Sequence, residues 1–151
     1  MSDLSDLYQE LILDHNKRPR NCRKIEGPDC CAQGHNPLCG DRVAVFVNVK
    51  GDRIEEIAFQ GAGCAISTAS ASLMTESLKG KTFAEAKGLF NQFHHMLTED
   101  SSNGEVEAEG LGKLAAFSGV KRYPARVKCA TLAWHTVNAA LEKSGETVTT
   151  E

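Results

Sequence analysis

Six cysteines punctuate this chain, and three of them stand in settings suited to metal or sulfur chemistry. Cys39 lies in Asn36-Pro37-Leu38-Cys39-Gly40-Asp41, just ahead of an alternating apolar run. In extended backbone, residues two apart point to one side. The spacing therefore predicts a thiolate and a carboxylate aimed at one point, with Gly40 letting the backbone pass closely. Cys64 follows Gly61-Ala62-Gly63 at the predicted junction of a strand and a helix, and Cys129 closes Arg126-Val127-Lys128-Cys129 in what reads as the first turn of the last helix. A helix N-terminus favours negative charge, so both positions suit a thiolate. Three thiolates and one carboxylate make a four-coordinate set for zinc, or for an iron-sulfur cluster that tolerates one oxygen ligand. Around zinc the set would carry about two negative charges, which Arg126 and Lys128 are placed to offset.

These residues need elements to bring them together. Val43, Val45, Val47 and Val49 alternate with Ala44, Phe46 and Asn48, and Ile54 to Gln60 follows after Lys50, Gly51 and Asp52, the pattern of a hairpin. The return strand ends beside the start of its partner, which carries Cys64 toward Cys39 although 24 residues lie between them. A short first strand is expected within Ile25 to His35. Because Phe46 and Ala44 make the second sheet face apolar too, helices are expected to cover part of both sides. The helices are residues 3–15 with Leu4, Leu7, Tyr8, Leu11 and Ile12 as their stripe, and Ala65 to Lys79, rich in small residues and stopped by Gly80. A further helix starts at a Thr82/Glu85 capping box. Glu99 to Glu109 reads as a loop before a short helix over Leu111 to Phe117, and a long helix runs from Pro124 past Trp134 to a stop at Gly145, followed by a frayed tail. The expected fold is α+β: a small, mainly antiparallel three-stranded sheet packed with helices, as a single domain over residues 1–151 without internal repeats.

Composition narrows the function. A chain of 151 residues with 41% hydrophobic residues has the size of one globular domain, and a formal net charge of -3 offers nothing to a phosphate backbone, so no nucleic acid is expected as partner. The longest apolar runs are strand-length, so no membrane is expected either. Met1 to Tyr8 shows no export-signal pattern, which predicts a cytoplasmic protein with reduced thiols rather than disulfides.

Asn-Pro-x-Cys-Gly-Asp, Gly-x-Gly-Cys-Ala-Ile-Ser-x-Ala-Ser and Arg-x-Lys-Cys-Ala-Thr-Leu-Ala-Trp resemble, in order, the three cysteine motifs of the NifU-like, or IscU, superfamily of iron-sulfur cluster assembly proteins. The resemblance runs from about residue 4 to residue 144. It is nearest to the SufU type, marked by a longer interval between the second and third cysteines and a Lys before the last one. Here 64 residues lie between Cys64 and Cys129, and Lys128 precedes Cys129. The insertion relative to IscU scaffolds falls roughly within residues 80–115, and Lys121 to Val127 replaces the chaperone-binding stretch of those scaffolds.

The resemblance implies zinc held by Cys39, Asp41, Cys64 and Cys129. It also implies sulfur acceptance at Cys39 from the persulfide of a SufS-type cysteine desulfurase, after a desulfurase His takes its place on the metal. Arg126 would orient the carboxylate or steady the released thiolate. On this view the chain is a sulfurtransferase-like partner of the desulfurase, which it stimulates, rather than a stand-alone enzyme; downstream cluster assembly or recipient proteins follow.

Two other functions use the same residues. One is a scaffold for a labile [2Fe-2S] cluster handed on to recipients. The other is a structural zinc-binding interaction module, disfavoured because no Cys-x-x-Cys knuckle occurs. Cys22, Cys30 and Cys31 read as structural, the vicinal pair facing opposite sides of a strand. His35 reads as a hydrogen-bonding loop residue, with ligand exchange as its alternative role. His94 and His95 read as a partly solvated helix face, His15 and His135 as helix contacts, and Trp134 as core. The basic run Lys17, Arg18, Arg20, Arg23, Lys24 is a solvated connection or a dock for an acidic partner patch.

Overall fold

The computed structural model describes residues 2–37, 39–98, 111–142 and 148–149. Helix α1 (Ser2–Lys17) leads through an irregular segment to strands β1 (Cys30–Asn36), β2 (Asp41–Lys50) and β3 (Arg53–Ala62). Helices α2 (Ala65–Leu78) and α3 (Phe83–Thr98) follow, then a 3-10 segment (Gly112–Arg122), helix α4 (Pro124–Glu142) and a two-residue strand β4 (Val148–Thr149). The expected loop over Glu99 to Glu109 and the expected stop at Gly145 lie outside the described residues.

The valine alternation does what its period predicts. Val43, Val45 and Val47 point inward with Ile57 and Phe59 of β3, all buried. The hairpin turns at Gly51, whose φ of +66° suits a residue without a Cβ, and a bulge falls between Asn48 and Val49. Strand β1 pairs antiparallel with β2 from Cys30↔Val47 to Asn36↔Asp41. Cys30 is buried and Cys31 exposed, as strand alternation requires.

Three expectations are corrected. The tail does not merely fray: Val148 and Thr149 pair in parallel with Gly34 and His35, adding a fourth strand to the order β3-β2-β1-β4. Two β-branched residues there satisfy backbone groups that β1 would otherwise leave open at its edge. Among the described residues, helices cover one sheet face and not both. Helices α2 and α4 pack on the valine face, while the opposite face keeps Gln33, Arg42 and Gln60 exposed and Ala44 and Phe46 half-buried. The apolar stripe of α1 is also partial: Leu11 and Ile12 pack on the core, but Leu7 is 60% exposed.

Small residues let the helices approach closely. In α2, Ala69, Ala71 and four buried hydroxyl residues face α1 and α4. Each buried hydroxyl needs a partner. The Ser70 hydroxyl donates to the Ala130 carbonyl at 2.5 Å and accepts from Trp134 Nε1 at 3.2 Å, and Ser72 accepts from the Arg20 amide at 2.8 Å and pairs with His15 Nδ1 at 2.7 Å. Trp134 is fully buried, stacked on Phe93 at 4.7 Å. The Thr82/Glu85 capping box forms as the sequence predicts, with reciprocal bonds of 3.0 and 3.1 Å at the start of α3.

Candidate metal centre

The sheet and two helix ends deliver the candidate residues to one end of the molecule. Asp41 opens β2 on its inward side and is fully buried. Pairing of Arg42 with Ala62 places the end of β3 beside it, and Cys64 caps α2 two residues later. The Cys64 backbone N–H donates to Asp41 Oδ1 at 2.8 Å. Gly63 makes that approach possible: a Cβ there would lie 2.5 Å from Asp41 Oδ1.

Cys39 sits in the turn between β1 and β2 beside Gly40 at φ +72°, not in extended backbone. The turn still brings its sulfur to 3.2 Å from Cys129 Sγ, with the Cys129 thiol donating. Cys39, Asp41 and Cys129 each offer a ligand atom within 4.8 Å of the others. Cys64 is not in that tight set, but its side chain interacts with Cys129.

Cys129 corrects a further expectation. With α4 starting at Pro124, it is beyond the first turn, where the helix-end field has faded, and it is fully buried. Burial first, then contacts with Asp41, Cys39 and Cys64, push its thiol pKa well above the ordinary value. A buried carboxylate beside sulfur donors, one of them a buried thiol held toward its neutral form, is a donor set whose ionised form calls for a cation, and two sulfurs and an oxygen are ligand types zinc accepts. The residues present fit the metal.

Arg126 is exposed beside this cluster. The nearby sulfurs, Cys64 first, then Cys129 through charge and a hydrogen bond, and Cys39, hold its guanidinium above its ordinary pKa. Its partners are thus the thiols, while the carboxylate is held elsewhere, by the Cys64 amide and Asn36 Nδ2. Asn36 is the residue that sequence reasoning passed over, quoted as the first letter of a motif and given no role. It is fully buried, with Nδ2 3.4 Å from Asp41 Oδ2 and 3.5 Å from Cys129 Sγ.

The remaining candidates fall outside the cluster. His35 pairs with Arg42 in the ladder, one residue out of phase with Asn36 and so on the opposite sheet face. Cys22 bridges to Phe59 at the far edge of β3 and is exposed. His94 and His135 stack edge to face at 5.6 Å around Phe90 and are not in the group formed by Cys39, Asp41 and Cys129. Within the basic run, Arg20 and Arg23 are paired with Asp14 and Glu56.

Fold and site together define a small α+β protein presenting a thiol-carboxylate ligand set at one end of its sheet. Residues 7–130 match the NifU-like N-terminal domain. The chain is 39% identical over 144 residues to the iron-sulfur cluster assembly scaffold protein IscU of Streptococcus pyogenes serotype M1, covering 95% of this chain and 88% of that one. It is 37% identical over 142 residues to the zinc-dependent sulfurtransferase SufU of Bacillus subtilis (strain 168), covering 94% of each. The crystal structure of the N-terminal part of a nitrogen-fixing NifU-like protein from Brucella abortus superposes with a TM-score of 0.82 at 25% identity, covering 93% of this chain and 95% of that one. The chain belongs to the NifU-like N-terminal domain family and fits its SufU type. Among the described residues no helix is long and apolar enough to cross a membrane.

Proposed function

We propose that this protein serves iron-sulfur cluster assembly as a zinc-bound sulfur acceptor that takes persulfide sulfur from a SufS-type cysteine desulfurase and stimulates it. The observation that carries this reading is the convergence of Cys39, Asp41 and Cys129 within 4.8 Å, with Cys64 adjoining through the hydrogen bond that its backbone N–H donates to Asp41. Similarity to a zinc-dependent sulfurtransferase over 94% of both chains supports it. Zinc, when bound by Cys39, Asp41, Cys64 and Cys129, would keep the thiols ionised at neutral pH and shielded from oxidants.

The chain's own residues account for the transfer. Cys39 and Cys64 are both half-buried, Cys39 carried on a turn and Cys64 at the cap of α2, whereas Cys129 is buried on a helix. As a thiolate, Cys39 Sγ attacks the terminal sulfur of the partner's cysteine persulfide; the new S–S bond forms at Cys39, the partner's S–S bond breaks, and the partner's cysteine leaves as a thiolate. Arg126, exposed and drawn to the sulfurs, steadies the negative charge on Cys39 as it is exposed. In this role the protein is a sulfurtransferase-like partner, and cluster assembly or recipient proteins act downstream.

The test combines metal analysis with desulfurase turnover. About one zinc per chain, a colourless protein, and sulfane sulfur mapped to the Cys39 peptide are expected. A Cys39→Ala variant that stimulates the desulfurase as fully as the parent refutes the reading. The 39% identity to an IscU scaffold favours a second reading, assembly of a labile [2Fe-2S] cluster on the same ligands. A brown protein containing iron and sulfide, with little stimulation, would put that reading first.

A further inference from the structure

The hydrogen bonds around the centre are unevenly shared. Asp41 is tied through both oxygens, Oδ1 to the Cys64 amide at 2.8 Å and Oδ2 to Asn36 Nδ2 at 3.4 Å. Cys129 is anchored on α4 and faces the same Asn36 Nδ2 at 3.5 Å. Among the described residues, the one hydrogen-bond partner of Cys39 is Cys129.

Asn36 is what makes the difference. It ends β1 directly opposite Asp41 in the ladder and is fully buried. Its amino group carries two hydrogens, and two acceptors stand before it. A flipped amide would point its oxygen at a carboxylate and a sulfur, so its neighbours select the orientation. Its Oδ1 then has no donor among the described residues. The side-chain contacts of this buried carboxamide are all at its donor end among the described residues.

Resting on the zinc-site reading above, we propose that Asn36 is a positioning residue whose single amino group ties Asp41 and Cys129 into a fixed pair. When the centre opens, Cys39 leaves and the pair stays. As between Cys39 and this pair, ligand choice during opening is thereby built into the fold.

Cobalt(II) loading of the metal-free chain provides the test, because thiolate-to-cobalt absorption reports how many sulfurs remain bound. Imidazole, a neutral nitrogen donor, is titrated into the cobalt form in the presence of iodoacetamide, with peptide mapping of the alkylated cysteine. The parent is expected to lose one sulfur's share of the absorption, keep its cobalt, and become alkylated at Cys39. Asn36→Leu, similar in volume but without donors, is expected to bind zinc about ten- to a hundredfold more weakly and to release cobalt altogether under imidazole.

A folded Asn36→Leu that keeps its cobalt and opens at Cys39 like the parent overturns the proposal. Failure of the parent to take up either metal would instead sink the zinc-site reading. Should Asn36→Leu not fold, the parent loaded with ¹¹³Cd decides. Scalar coupling from the metal to an Asn36 side-chain amide proton is expected through the N–H···S bond. Its absence, with both amide protons exchanging at solvent rates, refutes the tether.

Discussion

Replacing Gly63 with alanine should damage the metal centre while sparing the fold. The new Cβ would lie 2.5 Å from Asp41 Oδ1, 3.1 Å from Cγ and 3.2 Å from the Asp41 Cβ. Ordinary contact begins at 3.4 Å, so the closest pair must part by roughly 0.9 Å. Asp41 is fully buried and held at both oxygens, so it has little room to retreat. If the loop retreats instead, the 2.8 Å bond from the Cys64 amide to Oδ1 lengthens. Metal ligands tolerate displacements of about 0.2 Å, several times less than is required. A hydrogen bond to a charged acceptor is worth about 1.5 to 3 kcal/mol, which corresponds to a loss of zinc affinity of about ten- to a hundredfold.

Competition against a chromophoric chelator measures that loss, and thermal melts with and without zinc should show a smaller stabilisation by the metal. Gly88→Ala is the control. It lies on α3, where an added Cβ meets nothing within 4 Å, so it should stabilise by about 0.5 to 1 kcal/mol and leave zinc affinity unchanged. A folded Gly63→Ala protein binding zinc within about twofold of the parent would refute the reasoning that this glycine exists for the Asp41 carboxylate.

Two further expectations concern the helices. His15 is buried, with Nδ1 2.7 Å from Ser72 Oγ and Nε2 3.5 Å from Glu76. Burial first, then Arg20, lowers its pKa below the ordinary 6.5. The unfolded chain therefore gains the proton first. Stability from this contact is complete above pH 6.5 and is lost as pH falls through the lowered folded value, with His135, also lowered by burial, acting in the same direction. Urea midpoints should drop between pH 7.5 and 5.5, less so in His15→Gln, and equal midpoints for the parent would contradict this. Thr82→Ala removes the acceptor of the Glu85 amide at the start of α3 and should cost about 1 kcal/mol, a fall in Tm of roughly 2 to 4 °C, without altering metal affinity.

What could be read from the residues follows from which interactions are local. The β2–β3 hairpin and its inward face were legible because strand period and a turn glycine lie within one short segment. The capping box was legible for the same reason. The approach of Cys64 to Asp41 needed only one antiparallel return. Cys129 was legible as a motif but not as an environment: its place beyond the first helical turn and its burial depend on where α4 starts and what covers it. Asn36 was illegible as a participant because its contact with Cys129 spans 93 residues, and an asparagine before proline reads equally well as turn chemistry. The outer sheet face was misread because apolar content at Ala44 and Phe46 says a face can be buried, not that one of the described helices is available to bury it.

The separation of tethered from untethered ligands bears on the choice between the two readings of function. A cluster scaffold is served by ligands that all stay, because losing one sulfur exposes iron and invites release. A sulfur acceptor needs one sulfur that leaves and a remainder that holds together while it is away. The carboxylate fastened by a backbone amide and a buried side-chain amide, next to a sulfur on a helix, is a rigid remainder. Cys39, on a glycine-bearing turn with Cys129 as its one described hydrogen-bond partner, has the character of the departing group. Tethering Cys39 as firmly as Asp41 would therefore favour the scaffold at the expense of transfer, and the asymmetry of this site supports the sulfur-acceptor reading.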